Sequence, residues 1–403
     1  MEDLKSVINK ITWRVIQHGI FDKYRPKICH TPVYRVRGRA KGGAELSTLV
    51  FASNKWLEYF LKLLYEEEPA KEYFGDASFN EVPMLIKSKT HDIALVSSNM
   101  AFSDFLLSNG FFVLPHIDFK LNIFPSWNVL YKKMDRSLRR TINRIEERSF
   151  SYEITQDKNK IDFFYYQLYL PHVSGKYGKS ARIVSLEECR RLSKKGGLFL
   201  LKTEKKYVSG LIFSISNNEL NLAISGVNDE DLKDKAYYAL RYFFIKWAML
   251  HGYKRIDSGM SNPFFTDGTF MYKKKWGMQM EPIQGRSAGI FAVRFCSFSD
   301  GAKSFLLNNP FVFLEKGKLN GVVMGYSCFD SLRKRYFVPG LSKLIILNPS
   351  TSFCKPNRMK LCKLYPKGQN STINDPLLSM AEMVSEENYA AYLVDFETNH
   401  ISN

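Results

Sequence analysis

Three consecutive lysines, Lys273, Lys274 and Lys275, follow Tyr272 and run into Trp276 and Gly277, with two carboxylates, Asp257 and Asp267, upstream. An ammonium withdrawn from water can stabilise an oxyanion, and desolvation can lower its pKa far enough for proton exchange. A neighbouring carboxylate can orient that amine or accept a proton from an incoming ammonium group. Asp257 would serve equally well as the cap of a turn. Read as a strand, the stretch "TFMYKKKWGM" turns alternate residues to opposite faces. Lys273 is read as facing inward, with Lys274 on the opposite face, and Lys274 and Lys275 are read as solvated charge.

The elements around these residues determine whether they can work together. "KRIDSG" reads as a strand ending at Asp257 to Gly259, and "SNPFFTDG" as a loop with Asp267-Gly268 as a turn. Loops at strand ends in α/β sheets are where ligands bind. Upstream, "GLFLLKTE", "KYVSGLIFSISN" and "ELNLAISGV" read as strands, and "KDKAYYALRYFFIKWAMLHG" as a buried helix ending at Gly252. The order strand, strand, strand, helix, strand specifies a mixed sheet. Helical and strand-like pieces also alternate over residues 46–125. Leu138, Ile142 and Ile145 mark the inner face of a helix whose Arg136, Arg140 and Arg144 form a cationic ridge. "SFLLNNPFVFLEKGKLNG" reads as a helical hairpin, and "IDFFYYQLYL" as a packed helix face.

Other chemistries lack their residues. No P-loop, GxSxG, HExxH or strand-following GxGxxG sequence is present. The seven histidines include no i, i+4 pair, and the six cysteines no CxxC, so no metal is expected. The scattered cysteines and an N-terminus without secretory features imply a reducing cytoplasm. Apolar runs fall far short of the ~20 residues that span a bilayer.

The 403 residues exceed what one hydrophobic core usually serves, and 58 Lys+Arg against 40 Asp+Glu give a net charge of +18. Such a balance favours anionic partners: tRNA or other nucleic acid, a phosphorylated precursor, or an anionic membrane surface. Residues 301–369 hold twelve basic and two acidic groups, and residues 370–403 six acidic and none basic. This suggests a basic C-terminal extension with an acidic tail.

The runs "SLRRTINRIEERSFSYEIT", "FFYYQLYLPHVSGKYGKSARIVS", "GLFLLKTEKKYVSGLIFSI", "LRYFFIKWAMLHGYKRIDSG" and "FMYKKKWG" together resemble the GNAT acyltransferase superfamily, in its FemAB-like and CelD/BioF-type (peptidoglycan-bridge-like) branch. The resemblance covers about residues 125–280, and its most specific piece is Lys273 to Gly277. It implies an α/β (α+β) fold with a GNAT-like mixed central sheet flanked by helices, in tandem lobes. The expected division is a reduced N-terminal lobe (1–124), an acyltransferase domain (125–290) and the basic extension (291–403).

The resemblance further implies direct transfer of an acyl group, acetyl in the simplest case, from acyl-CoA to an amine of a sugar, amino-acid or cell-envelope precursor. Two strands would splay to admit the donor, one of them the strand ending in Gly226 and Val227. The next helix, beginning around Lys233, Lys235 and Ala236, would hold the pyrophosphate on its unpaired N–H groups. The superfamily's glycine-rich loop is replaced here by "DEDLKDKAYY". FemAB-like proteins also lack that loop and take their acyl group from aminoacyl-tRNA, which is the rival donor. Lys273 matches a FemAB-like lysine where many GNAT enzymes have a tyrosine, and Tyr272 stands beside it. Arg182, with Tyr177 nearby, matches an arginine used toward a phosphate-bearing acceptor, and Asp267 completes the expected substrate side. The remaining reading is a non-catalytic GNAT-like shell, cytoplasmic and peripheral to the inner membrane face, that binds anionic membrane or nucleic acid.

Overall fold

The computed structural model describes residues 30–78, 81–88, 90–97, 110–177, 183–204, 206–227, 233–283, 290–327, 329–349, 362–363 and 389–395. It is a mixed α/β protein with three sheets flanked by helices. Two compact units divide the chain: residues 1–117, 262–270 and 282–403 form the first, and residues 118–261 and 271–281 the second. The expected boundaries at 124/125 and 290/291 do not coincide with this division.

In the first unit, β1 (Thr31–Arg39), β2 (Glu45–Phe51), β3 (Ala70–Ala77), β4 (Ile93–Ser97), β5 (Phe111–Val113) and β13 (Phe291–Phe295) form a sheet in the order β3-β1-β2-β4-β13-β5. Strand β13, expected in the extension, lies between β4 and β5 and pairs antiparallel with both. Its Phe291 meets Phe60 edge-on at 5.1 Å. Phe60 belongs to the helix Asn54–Leu64, which buries Leu57, Phe60, Leu61 and Leu64 at the helical period. Residues far apart in sequence thus share one core.

The same unit carries β14 (Phe311–Glu315), β15 (Lys318–Met324), β16 (Leu341–Pro349), β17 (Cys362–Lys363) and β18 (Tyr389–Asp395), ordered β14-β15-β16-β18-β17. The expected helical hairpin needs correction. Its first half is the helix Asp300–Asn308, capped by the Ser299 hydroxyl on Ala302 N–H, but its second half is the β14–β15 hairpin. Lys316 and Gly317 form that turn with φ of 49° and 78°, the left-handed pair that a two-residue hairpin requires. The helical pattern of "MAFSDFLLSNGF", residues 100–111, lies almost wholly outside the described residues.

The second unit is built on one seven-stranded sheet. Its members are β6 (Ile117–Asn122), β7 (Ser151–Thr155), β8 (Gly196–Lys202), β9 (Tyr207–Ser216), β10 (Glu219–Val227), β11 (Arg255–Ser261) and β12 (Gln279–Glu281), in the order β12-β6-β11-β10-β9-β8-β7. Strands β7 to β10 are successively antiparallel, the last two joined through Asn217 and Asn218 at positive φ. Helix α2 (Lys233–Leu250) then crosses over to β11, which runs parallel to β10. Helix α1 (Arg136–Glu146) buries Leu138, Ile142 and Ile145 and is capped by Asp135, while Arg136, Arg140 and Arg144 are exposed, as the sequence pattern requires. Within "IDFFYYQLYL", Phe164–Tyr169 forms a π-helical turn that buries Phe164, Leu168 and Tyr169.

Candidate active site

Strands β10 and β11 share only three residue pairs, Glu219↔Arg255, Leu220↔Ile256 and Asn221↔Asp257. Beyond these, β10 continues to Val227 and β11 to Ser261 without pairing to each other. The departure has a local cause. The β9–β10 register shifts between Leu222 and Ile224, leaving Ala223 as an inserted residue two positions after the last β10–β11 pair. Such a bulge bends its strand and increases its local twist, so β10 turns away from its parallel neighbour there. At the far end of β10, a Cβ on Gly226 would meet the backbone of Leu168 and Tyr169 at 2.6 Å. Glycine therefore lets β10 lie directly against the widened π-helical turn.

Strand β11 is shaped at the same level. The Asp257 carboxylate accepts the Gly259 N–H at 2.7 Å, and Gly259 adopts φ +69°. Its Cβ position is open space, so conformation rather than crowding selects glycine. This kink presents two successive carbonyls, those of Gly259 and Met260, to Lys273 Nζ, each at 2.8 Å. Lys273 is only 4% exposed, and its amine also lies 5.5 Å from the centre of the Phe119 ring.

Lys273 reaches this position from a helix, not from the expected strand. Helix α3 (Gly268–Lys275) begins after Asp267, whose Oδ1 accepts the Phe270 N–H at 2.9 Å and whose Oδ2 accepts Asn262 Nδ2 at 3.0 Å. Asp267, expected on the substrate side, is an N-cap held on both oxygens. The helix ends where Gly277 takes φ +70°, with its N–H on the Lys274 carbonyl. A Cβ on Gly277 would lie 3.0 Å from the Lys133 carbonyl oxygen. The Lys-x-x-Trp-Gly spacing therefore describes a helix end: a buried cation, a core indole and a left-handed terminator.

Tyr272 stands on another face of α3, against Tyr237 at 4.9 Å and Tyr238 at 5.3 Å between ring centres. Burial pushes its phenol pKa up, and the nearby Arg241 guanidinium opposes that shift. Arg241 and Trp276 approach the hydroxyl closely enough to bias its ionisation, yet no contact there reaches hydrogen-bond geometry. Arg241, on α2, donates to the Ser258 hydroxyl at 3.2 Å, on β11 immediately past the last pair with β10. Sequence reading missed Arg241. Its one signal was a cation, one of two with Lys246, in the interior of a largely apolar helix.

Of the expected residues, the fold brings Lys273 and Asp257 to the stretch of β11 that is not paired with β10, and sets Tyr272 beside Arg241. Gly226 and Val227 are buried at the end of β10. Ala236 is fully buried in the first turns of α2, and its carbonyl accepts the Ser209 hydroxyl at 3.4 Å. Lys233 and Lys235 lie in the first turn of α2 and Tyr177 ends the helix Leu170–Tyr177, but their side chains fall outside the described residues. Arg182 and the loop 228–232 also lie outside them. Among the described residues, no group of three or more His, Cys, Asp or Glu is placed to hold a metal, and no helix is long and apolar enough to cross a membrane.

Fold and site together define a mixed α/β protein whose seven-stranded sheet is parted between two neighbouring parallel strands. No family model and no curated protein matches the chain. Solved structures similar to it include L-PGS from Bacillus licheniformis, 14% identical over 67% of this chain and 87% of that one, with a TM-score of 0.33. FemX is 13% identical over 68% of this chain and 94% of that one, with a TM-score of 0.36. A GCN5-related N-acetyltransferase from Kribbella flavida is 8% identical over 79% and 73%, with a TM-score of 0.25. These likenesses are distant, and the functional reading rests on the strand pairing instead.

Proposed function

We propose that the second unit is a GNAT-type N-acyltransferase that admits its acyl donor between β10 and β11. The observation that carries this reading is the parting of the two strands at the Ala223 bulge, with Lys273 bonded to β11 just beyond it. Unpaired strands offer backbone N–H groups to a ligand, and such groups stabilise an oxyanion when aimed at a reacting carbonyl. Acyl-CoA is the donor we assign. The acceptor is a small amine of a sugar, amino-acid or cell-envelope precursor.

In the reaction, the neutral acceptor nitrogen attacks the thioester carbonyl carbon to give a tetrahedral oxyanion. The C–N bond forms, the C–S bond breaks, and the proton lost by the nitrogen ends on the departing thiolate. Lys273 acts here as a positioning residue that fixes the kinked β11 backbone and supplies positive charge to the parted region. Asp257 orients the same kink through Gly259.

Aminoacyl-tRNA is a second donor reading, favoured by "DEDLKDKAYY" in place of a glycine-rich pyrophosphate loop and by the +18 charge. Calorimetry with acetyl-CoA, followed by thiol release with pooled amino sugars and amino acids, tests the first donor. Consumption of charged tRNA tests the second. Absence of all three signals would remove the enzymatic reading and leave an anion-binding shell.

A further inference from the structure

Arg241 is 8% exposed, and among the described residues its guanidinium has one hydrogen-bond partner, the neutral Ser258 hydroxyl, and no carboxylate within ion-pair distance. A guanidinium carries five N–H donors and stays charged at any physiological pH. Burying that charge without a counter-ion is costly, so folded proteins supply one. Two further donors stand beside it. The Tyr272 hydroxyl and the Trp276 indole N–H are both shielded from solvent with no hydrogen-bond partner in the structure. Trp276 itself is 0% exposed, and its ring meets that of Tyr272 at 6.3 Å.

Through Ser258, Arg241 reaches the stretch of β11 just past its last pair with β10.

We propose that Arg241, Tyr272 and Trp276 form a receptor for an anionic oxygen group, a carboxylate or a phosphate, carried by the acceptor substrate. A guanidinium edge matches two oxygens of either group at once, and the phenol and indole can donate to the same oxygens or a third. The neighbouring rings of Tyr237 and Tyr238 keep the environment apolar, which strengthens such bonds. Assigning the anion to an acceptor rests on the acyl-transfer reading, whereas the presence of an anion site does not.

The test uses the full chain, titrated separately with inorganic phosphate and acetate against sodium chloride at equal ionic strength. Melting temperature and tryptophan fluorescence are recorded. The wild-type protein is expected to show a saturable rise in melting temperature and a fluorescence change with at least one oxyanion. Both are lost in Arg241→Met and weakened in Tyr272→Phe, but kept in Arg140→Gln, which alters only the exposed ridge. A response to phosphate alone points to a phosphorylated acceptor, and a response to acetate to a carboxylate. Without ligand, Arg241→Met should melt higher than wild type, because it removes a buried charge that lacks a counter-ion. Responses no greater than with chloride, or a ligand-free Arg241→Met melting lower, would overturn the proposal and leave Arg241 a structural strut to Ser258. No acyl donor enters this titration, so its failure would leave the parted strands standing, and failure of donor binding would leave the anion site standing.

Discussion

Lys273 Nζ donates to the Gly259 carbonyl at 2.8 Å and, at the same distance, to the next carbonyl along, that of Met260. One buried side chain thus replaces the hydrogen bonds that a neighbouring strand would give this kinked stretch of β11. Removing it takes two charge-assisted hydrogen bonds from this stretch, at a cost of roughly 2–5 kcal/mol. Lys273→Met, which keeps most of the packing against Phe119, is therefore expected to lower both stability and transfer rate. Denaturant unfolding measures the first, and kcat/KM at a temperature where the variant is fully folded the second. A variant that keeps wild-type stability would disprove the bonding role.

Gly259→Ala isolates the kink from the cation. The added methyl meets no atom within 4 Å, but φ of +69° is unfavourable for any residue with a Cβ. A loss of about 1–2 kcal/mol is expected. Transfer should fall further than stability alone explains, because relaxing the kink turns both carbonyls away from Lys273. Comparing Gly259→Ala with Gly252→Ala, also at positive φ and open but just past the end of α2 and outside β11, separates the two effects.

Gly226→Ala probes the other strand. Its methyl would lie 2.6 Å from the Leu168 and Tyr169 backbone, which cannot yield as a side-chain tip would. Overpacking of this kind costs about 1–3 kcal/mol. We expect the end of β10 to shift off the π-helical turn, raising the KM for the acyl donor more than it lowers kcat. An unchanged KM would show that this end of β10 does not contact the donor.

The first unit carries a pH-sensitive element. His91 is 3% exposed, neither ring nitrogen has a hydrogen-bond partner, and burial pushes its pKa down to about 4. Asp92 works against that shift and Arg35 with it. The imidazole ordinarily titrates at 6.5, so the unfolded chain takes up the proton first as pH falls. Stability from the neutral ring is fully present above pH 6.5 and is lost as pH falls toward 4. The loss is on the order of 2 kcal/mol after allowance for solvent screening. His91→Phe should flatten this part of the stability profile, and an unchanged slope between pH 6.5 and 4 would rule the group out.

Local patterns made the second unit legible from sequence. The apolar strands, the buried helix ending at Gly252 and the leucine-isoleucine face of α1 each announce themselves within a few residues. Lys273 was legible because the short run from Lys273 to Gly277 carries both the cation and the helix terminator. Its helical setting was not, since "TFMYKKKWGM" has no clear period and only the Asp267 cap fixes it. Arg241 was hidden for a related reason: a charge inside a largely apolar helix, as Lys246 also is, gains meaning only when Ser258, Tyr272 and Trp276 come to meet it. The first unit was least legible. Strand β13 finds its partners about two hundred residues upstream, and no local pattern encodes a pairing at that distance.

The parting of β10 and β11 is tested most directly by amide hydrogen exchange resolved to single residues across both strands, with and without acetyl-CoA or charged tRNA. Amides of residues 222–227 and 258–261 that face the gap should exchange faster than those of the paired residues 219–221 and 255–257, and one of the two donors should slow them selectively. Equal protection of both sets without donor, unchanged when either is added, would contradict the account.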